Sequence, residues 1–424
     1  MATERAEAPK RAAGSPERPW FQLGLALGAM IMIANLQYAW TLFVEPLRAS
    51  TGWSLKEVQW GFSLFILLET WTMPLEGWLI DRLGPRLLVT VAGALCAFGW
   101  SMMSRASSLS ELYLYYGIAG VGAAIVYGGS IASAVKWFPR RRGLAAGIIA
   151  AGFGAGSAPL IPLIARMIAT RGYRATFLWS GIIQGAVIVA VAQFMAHPPR
   201  AALDAAKPPA GAGALRQSRR DFTTAEMLRT PHFWLLYVTF VFMATGGLLL
   251  TAQAGPVARE WGLSLTALTV ALTFDRISNG AGRIFWGFVS DRIGRERAMT
   301  IAFTLHGAAV LSVLLLGRRS GTLFTATVVL ALFTWGEIFS LFPSITTDLF
   351  GARHATSNYS FMYSAKGVAG IVAGGLAARI FEAARSWSAV FYGSAVLALL
   401  AAVLSQSVRR LPLPTPGGAG DVLR

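Results

Sequence analysis

The sequence has few charged residues and almost no cysteine. Asp, Glu, Lys and Arg together make up 13% of its 424 residues, whereas hydrophobic residues make up 55%. A soluble chain carries about 25% charged residues. The composition therefore excludes an ordinary soluble enzyme, a disordered chain and a coiled coil. The single cysteine, Cys96, excludes a disulfide scaffold and a cysteine-based metal cluster.

The sequence also lacks the motifs of common nucleotide, metal and catalytic sites. It has no phosphate-binding loop, and its four histidines do not share a helix face at metal-ligand spacing. The sequence gives no indication of a catalytic Ser/His/Asp arrangement. The sequence therefore predicts no enzyme, no cofactor and no metal. A net charge of +17 is common in nucleic-acid binders, but here the bases lie between apolar blocks, which is typical of membrane proteins.

Apolar runs of about 20 residues predict twelve transmembrane helices. Their predicted bounds are 20–45, 55–80, 86–104, 109–136, 143–169, 174–196, 231–256, 264–290, 297–317, 321–346, 357–383 and 386–408. Only structures that satisfy their own backbone hydrogen bonds can fill such spans. The fold class predicted is an all-α membrane protein.

The predicted spans form two six-helix bundles, at 20–196 and 231–408. Three polar segments remain: an N-terminal tail at 1–19, an Ala/Pro/Gly-rich and then basic linker at 197–230, and a C-terminal tail at 409–424. Of the 37 Lys and Arg residues, 23 fall on the side of the N-terminus, 11 fall on the other side and three lie within spans. Because cytoplasmic loops carry the excess of bases, we expect both termini and the linker in the cytoplasm.

A short motif recurs at equivalent places in the two halves. Gly77-Trp-Leu-Ile-Asp81-Arg82-Leu-Gly84 closes the second predicted span, and Gly287-Phe-Val-Ser-Asp291-Arg292-Ile-Gly294 closes the eighth. The glycines permit tight turns, the acids can pair with a base or cap a helix, and the arginines can anchor at lipid headgroups. Two matched six-span halves predict a rocking transporter with its site between them. The candidate gating residues are Asp81, Arg82, Gly84, Asp291, Arg292 and Gly294.

With these paired loops the sequence resembles the major facilitator superfamily over nearly its whole length. More narrowly it is similar to the oxalate:formate antiporter family, a bacterial relative of the monocarboxylate transporters. The narrower resemblance rests on stretches such as Leu36-Gln-Tyr-Ala-Trp-Thr-Leu42, Trp137-Phe-Pro-Arg-Arg-Arg-Gly-Leu-Ala145, Phe285-Trp-Gly-Phe-Val-Ser-Asp291 and Leu341-Phe-Pro-Ser344. The resemblance implies a monomeric carrier of small organic carboxylate anions in the bacterial inner membrane, working by alternating access without a cofactor.

Ionisable side chains inside predicted spans are costly and therefore point to function. Those within the spans are Glu69, Glu76, Asp275, Arg276, Arg283, Glu337 and Lys366. The resemblance implies that Arg283 and Lys366 are two substrate-binding bases that clamp a carboxylate, and a guanidinium suits bidentate carboxylate binding. The alternative is that each base merely pairs with a buried acid.

The acids leave the mode of coupling open. Asn279 stands where many proton-coupled relatives carry an aspartate, four residues before Arg283, and this favours exchange of one anion for another. Asp275, Glu337 and Glu69 are candidates for proton coupling or for charge pairing, and Asp275 can pair with a neighbouring arginine. Four acids against three bases favour instead proton-coupled uptake of a lactate-like monocarboxylate. A membrane sensor that binds its ligand without moving it is a remote alternative.

Polar and aromatic residues complete the expected pocket. The resemblance makes several of them walls of a carboxylate site, namely Gln37, Tyr38, Tyr127, Phe153, Trp335, Phe339 and Tyr363. Gln37, Tyr38 and Tyr127 can donate hydrogen bonds to a carboxylate. Trp335 and Phe339 would exclude water and so strengthen the charge contacts. For each of them, ordinary helix packing is the alternative.

Overall fold

The computed structural model describes residues 19–138, 142–196, 217–218, 220–351 and 353–414. Most of the predicted linker, nearly all of the predicted N-terminal tail and most of the C-terminal tail lie outside these ranges. The expectations for those three segments therefore stay predictions.

The described residues fold into α-helices joined by short loops. The first half consists of Pro19–Tyr38 (α1), Trp40–Thr51 (α2), Leu55–Trp71 (α3), Met73–Leu83 (α4), Pro85–Met102 (α5), Leu109–Trp137 (α6), Arg142–Ala155 (α7) and Leu160–Ala192 (α8). The second half consists of Thr224–Leu228 (α9), Pro231–Glu260 (α10), Leu265–Ile293 (α11), Arg295–Leu316 (α12), Gly321–Trp335 (α13), Ile338–Phe350 (α14), Ala355–Tyr363 (α15), Ala365–Ile371 (α16), a π-helical turn Val372–Leu376, Ala377–Ala384 (α17) and Ser388–Arg410 (α18).

Within the described ranges, nine helical stretches are long and apolar enough to cross a membrane. The predicted spans at 55–80 and 264–290 are not among them. These two spans carry five of the seven ionisable residues that the sequence places inside predicted spans. The predicted spans at 143–169 and 174–196 merge into one stretch of 49 residues, in which Gly172 has non-helical dihedrals with φ at 79°. The twelve-span count and the side of the membrane that holds the termini stay predictions.

Three helix breaks occur beside the predicted site residues. Helix α1 ends at Tyr38 and α2 begins at Trp40, α13 ends at Trp335 and α14 begins at Ile338, and α15 ends at Tyr363. Discontinuous helices commonly form the ligand sites of transporters because the break frees backbone groups at the midplane. The breaks therefore fall where the sequence predicts a pocket.

The two repeated loops have the same backbone geometry. Gly84 precedes α5 with φ 81° and ψ 156°, and Gly294 precedes α12 with φ 92° and ψ 153°. Residues other than glycine rarely adopt such a positive φ, and this accounts for the glycine in both copies. In the second copy Asp291 accepts a hydrogen bond from Arg295 Nη1 at 2.5 Å. The side chains of Asp81 and Arg82 lie outside the described part of the chain.

The two halves meet along several helix pairs. Helix α7 packs against α11, α3 against α16 and the π-helical turn, and α2 against α10. At the first of these interfaces a Cβ atom on Gly154 would lie 2.8 Å from Asn279 Oδ1 and 2.9 Å from Arg283 Nε. A Cβ at this position would force one of these side chains to shift, so the backbone of one half lies directly against the predicted site residues of the other.

Candidate functional site

Arg283 is buried on α11 where that helix faces α7, and 3% of its surface is exposed. Its Nη1 donates to the carbonyl of Ala150 at 2.6 Å, and its Nη2 donates to Asn279 Oδ1 at 3.1 Å. In the described part of the chain no Asp or Glu forms an ion pair with this guanidinium, and Nε has no hydrogen-bond acceptor. Because both of its partners are neutral, the positive charge of Arg283 is not matched by a contacting acid.

Lys366 is completely buried on α16 and is matched by an acid. Its Nζ donates to Glu69 Oε2 at 2.8 Å, to Gln37 Oε1 at 2.9 Å and to Tyr363 Oη at 3.2 Å. Glu69 lies on α3 and Gln37 on α1, so this ion pair joins the two halves. The second predicted base therefore lies at the site, but a carboxylate of the protein already contacts it.

Two phenylalanine rings lie near both bases. The guanidinium carbon of Arg283 is 4.1 Å from the centre of the Phe339 ring and 6.0 Å from that of Phe153. Lys366 Nζ is 5.9 Å and 5.5 Å from the same two centres. Both cations are thus within about 6 Å of aromatic faces, where a cation–π attraction acts. The structure brings the two predicted bases together around one aromatic pair.

Three tyrosines extend this aromatic wall. Tyr127 stacks on Tyr363 with ring centres 5.4 Å apart and meets Phe153 edge-on at 5.2 Å. Tyr38 lies against the same phenylalanine at 5.2 Å. All four rings are buried, and rings packed this closely exclude water, which strengthens the charge contacts of the site. The residues that sequence reasoning assigned to the pocket walls thus form one cluster.

Asp275 and Arg276 form a buried ion pair beside that cluster. Both carboxylate oxygens of Asp275 accept hydrogen bonds from Arg276, one of them from Nη2 at 2.9 Å. The guanidinium carbon of Arg276 lies 4.1 Å from the centre of the Tyr38 ring. The sequence left open which arginine Asp275 would pair with, and in the structure it is Arg276. Asp275 therefore does not compensate Arg283 by direct contact.

Two further buried acids make no hydrogen bond to either predicted base. Glu337 lies fully buried in the break between α13 and α14, and neither of its carboxylate oxygens has a hydrogen-bond partner among the described residues. Glu76 on α4 is also buried, and its Oε1 accepts a hydrogen bond from Thr72 at 3.4 Å. Near Glu337, Trp335 packs edge-on against Phe339 with ring centres 5.1 Å apart.

Some contacts of the site were not predicted from the sequence. The Ala150 carbonyl that holds Arg283 is a backbone group, so no side-chain pattern indicates it. A chain of hydrogen bonds also joins the halves, from Trp40 Nε1 to Gln59 Oε1 at 3.0 Å and from Gln59 Nε2 to Gln253 Oε1 at 3.0 Å. Gln59 and Gln253 are amides inside predicted spans, and this signal could have identified them.

Comparison with known proteins agrees with this architecture. The family model described as "Major Facilitator Superfamily" matches residues 25–257 and 239–422. The chain is 37% identical over 392 residues to the oxalate:formate antiporter of Oxalobacter formigenes, which covers 92% of this chain and 91% of that protein. It is 27% identical over 336 residues to the uncharacterized MFS-type transporter YhjX of Escherichia coli, with 79% and 81% covered. It is 25% identical over 408 residues to monocarboxylate transporter 3 of Rattus norvegicus, with 93% and 81% covered.

Proposed function

Because the chain belongs to the Major Facilitator Superfamily, we propose that it exchanges small carboxylate anions across the membrane by alternating access. It is a multi-pass membrane protein of a transporter family, and the family resemblance stated from its sequence is confirmed. Oxalate/formate-type exchange is the first candidate, because the relative that is 37% identical is named an oxalate:formate antiporter.

One observation carries the choice of an anion as substrate. Arg283 lies buried between the halves, and none of the described acids pairs with it. A buried charge without an opposite charge beside it is costly, so a ligand carboxylate that supplies the missing negative charge would be stabilised there. A guanidinium has five N–H donors in a planar fork, and two of them go to Ala150 and Asn279. The remaining donors suit a carboxylate.

The geometry also favours a mechanism in which the halves rock around this site. Both bases belong to the second half, whereas Ala150, Gln37 and Glu69 belong to the first. Opening the interface on either side must change these contacts. A bound anion that holds both halves would stabilise the closed form in which they meet, and release on the opposite side would complete one half of an exchange cycle.

Proton-coupled uptake of a monocarboxylate is the second candidate. The observation that favours it is Glu337, whose fully buried carboxyl group has neither a base nor a hydrogen-bond donor among the described residues. An ionised carboxylate is costly to bury without a partner, and binding a transported proton would remove that cost. The similarity to monocarboxylate transporter 3 supports the same candidate. For location we propose the inner membrane of a bacterium, with a monomer as the working unit and both termini in the cytoplasm.

Flux through proteoliposomes tests both candidates. Purified protein would be reconstituted with unlabelled oxalate, formate or lactate inside, and uptake of each labelled anion would be followed with and without a pH gradient. Exchange predicts uptake that needs an internal anion, ignores the gradient and is lost in Arg283→Gln. Uptake that is driven by the pH gradient and needs no internal anion would contradict exchange and support proton-coupled uptake. Ligand binding without flux would indicate a sensor and contradict both candidates. Arg318→Gln, at an exposed position of the 3-10 turn Gly317–Arg319, serves as the matched control.

A further inference from the structure

We propose that Glu69 sets the charge of the site, so that it accepts a monoanion, with one carboxylate and an uncharged remainder, in preference to a dianion. This inference rests on the proposed carboxylate transport and narrows its substrate class. It arises from the unequal surroundings of the two bases, of which one is paired with an acid and the other is not.

The ammonium of Lys366 has no donor left for a ligand. An ammonium carries three N–H bonds and no acceptor. Glu69, Gln37 and Tyr363 supply three oxygens within 3.2 Å of Nζ. A ligand carboxylate could reach Lys366 only by displacing one of these oxygens, and displacement of Glu69 would leave a second carboxylate buried without its counter-ion. Lys366 therefore acts as the partner of Glu69 and does not offer a second positive charge to the substrate.

Among the buried charges that contact the aromatic rings or each other, one positive charge remains. Glu337 forms no hydrogen bond with any of them among the described residues. Asp275 and Arg276 neutralise each other in their own ion pair, and Lys366 and Glu69 do the same. Arg283 is the remaining base of the cluster, and its hydrogen bonds go to neutral groups. A monoanion would bring the cluster to neutrality, whereas a dianion would leave one negative charge buried among aromatic rings, where it is poorly solvated.

Glu69 also has the geometry of a positioning residue. Its Oε2 holds Lys366 across the interface between the halves, and its Oε1 has no hydrogen-bond partner in the described ranges. Tyr363, which accepts the longest of the three bonds from Lys366, stacks on Tyr127 in the aromatic wall. Lys366 and Arg283 lie within about 6 Å of the same two ring centres, those of Phe153 and Phe339. Removing one charge of the Glu69–Lys366 pair would therefore act on a ligand held by Arg283.

Competition between anions of different charge tests the proposal. Uptake of labelled formate into formate-loaded proteoliposomes would be measured at pH 7 against unlabelled acetate, a monoanion, and unlabelled oxalate, a dianion. In the wild type acetate should inhibit at lower concentration than oxalate. Glu69→Gln removes one negative charge while keeping the side-chain shape. We expect it to lower the inhibition constant for oxalate, relative to that for acetate, by about tenfold or more, because a charge in a dry site acts strongly at short range.

Three further variants separate charge from packing. Glu76→Gln removes another buried acid of the same half, one that makes no hydrogen bond to Lys366, and it should leave the oxalate-to-acetate ratio at the wild-type value. The double variant Glu69→Gln with Lys366→Gln restores one net positive charge and should return the ratio to that value. Lys366→Gln alone leaves Glu69 unmatched and should weaken the binding of both anions, so the double variant should bind formate more tightly than this single variant does.

The outcomes distinguish the inference from the proposed function. A wild type that exchanges carboxylates but prefers oxalate to acetate overturns the inference and leaves the transport proposal intact. The inference is equally overturned if Glu69→Gln still takes up formate with an unchanged ratio. If Glu69→Gln does not fold, a double variant that binds formate no better than Lys366→Gln contradicts the charge compensation. A wild type that moves no carboxylate overturns the proposed function itself.

Discussion

Replacing Arg283 with lysine keeps the positive charge at the site but removes the planar fork. The guanidinium now uses one nitrogen for Ala150 and another for Asn279, and its remaining donors are available to a ligand. An ammonium has three donors. If two of them replaced the bonds to Ala150 and Asn279, only one would remain for a carboxylate. Arg283→Lys would therefore convert a two-point contact with the substrate into a single contact.

The expected loss follows from the value of one such bond. A hydrogen bond to a charged group contributes about 1.5–3 kcal/mol, and each 1.4 kcal/mol corresponds to about a tenfold change in affinity. The KM for formate exchange should rise about 10- to 150-fold in Arg283→Lys. Arg283→Gln, which also loses the charge, should be affected more severely.

Initial rates of exchange over a range of external formate would measure this effect, with the amount of reconstituted protein determined separately. Arg318→Lys is the matched control, because Arg318 lies at an exposed position of the 3-10 turn Gly317–Arg319. This variant should keep the wild-type KM. A KM for Arg283→Lys within about twofold of the wild type would refute the reasoning, because charge alone would then suffice at this position.

Two further predictions concern packing and the closure of the interface. A Cβ on Gly247 would overlap the ring of Trp335, whereas a Cβ on Gly147 would meet no heavy atom within 4 Å. Because overpacking costs about 1–3 kcal/mol, Gly247→Ala should lower the thermal unfolding temperature in detergent and Gly147→Ala should not. Equal unfolding temperatures for the two variants would contradict the contact between Gly247 and Trp335. Glu45 forms ion pairs with Arg48 of its own helix and with Arg259 of the other half. Exposed pairs contribute about 0.2–1 kcal/mol, so Glu45→Gln should raise hydrogen–deuterium exchange in α2 by about 1.5- to 5-fold. Unchanged exchange would show that Glu45 does not hold the halves closed.

Much of the fold could be predicted because its causes are local. Long apolar runs separated by basic segments predicted membrane helices, and the repeated D-R-x-G loops predicted two related halves. The breaks inside these helices were not predicted. Gly336 weakens the helix at one break by its own low propensity. Ala39, at the break between α1 and α2, is a good helix former, so the position of that break depends on contacts with neighbouring helices rather than on local propensity.

The candidate site was predicted in its members but not in its pairing. The cost of burying a charge singled out Arg283, Lys366, Glu69 and Asp275 from their positions within apolar runs. Which acid contacts which base depends on distances between helices that are far apart in sequence. Glu69 and Lys366 are separated by 297 positions and meet at 2.8 Å, and no periodicity in either helix indicates that contact.

The sequence by itself predicted two related halves. It determined that this chain is a membrane protein and which of its ionisable residues must be buried. Both follow from the composition of single segments, because the transfer of apolar and charged groups into a membrane is a property of each segment alone. The tertiary structure decided which base has an acidic partner and which does not. It did so because ion pairing depends on the separation of atoms from different helices: packing places Glu69 against Lys366 and Asp275 against Arg276, and leaves Arg283 with neutral partners.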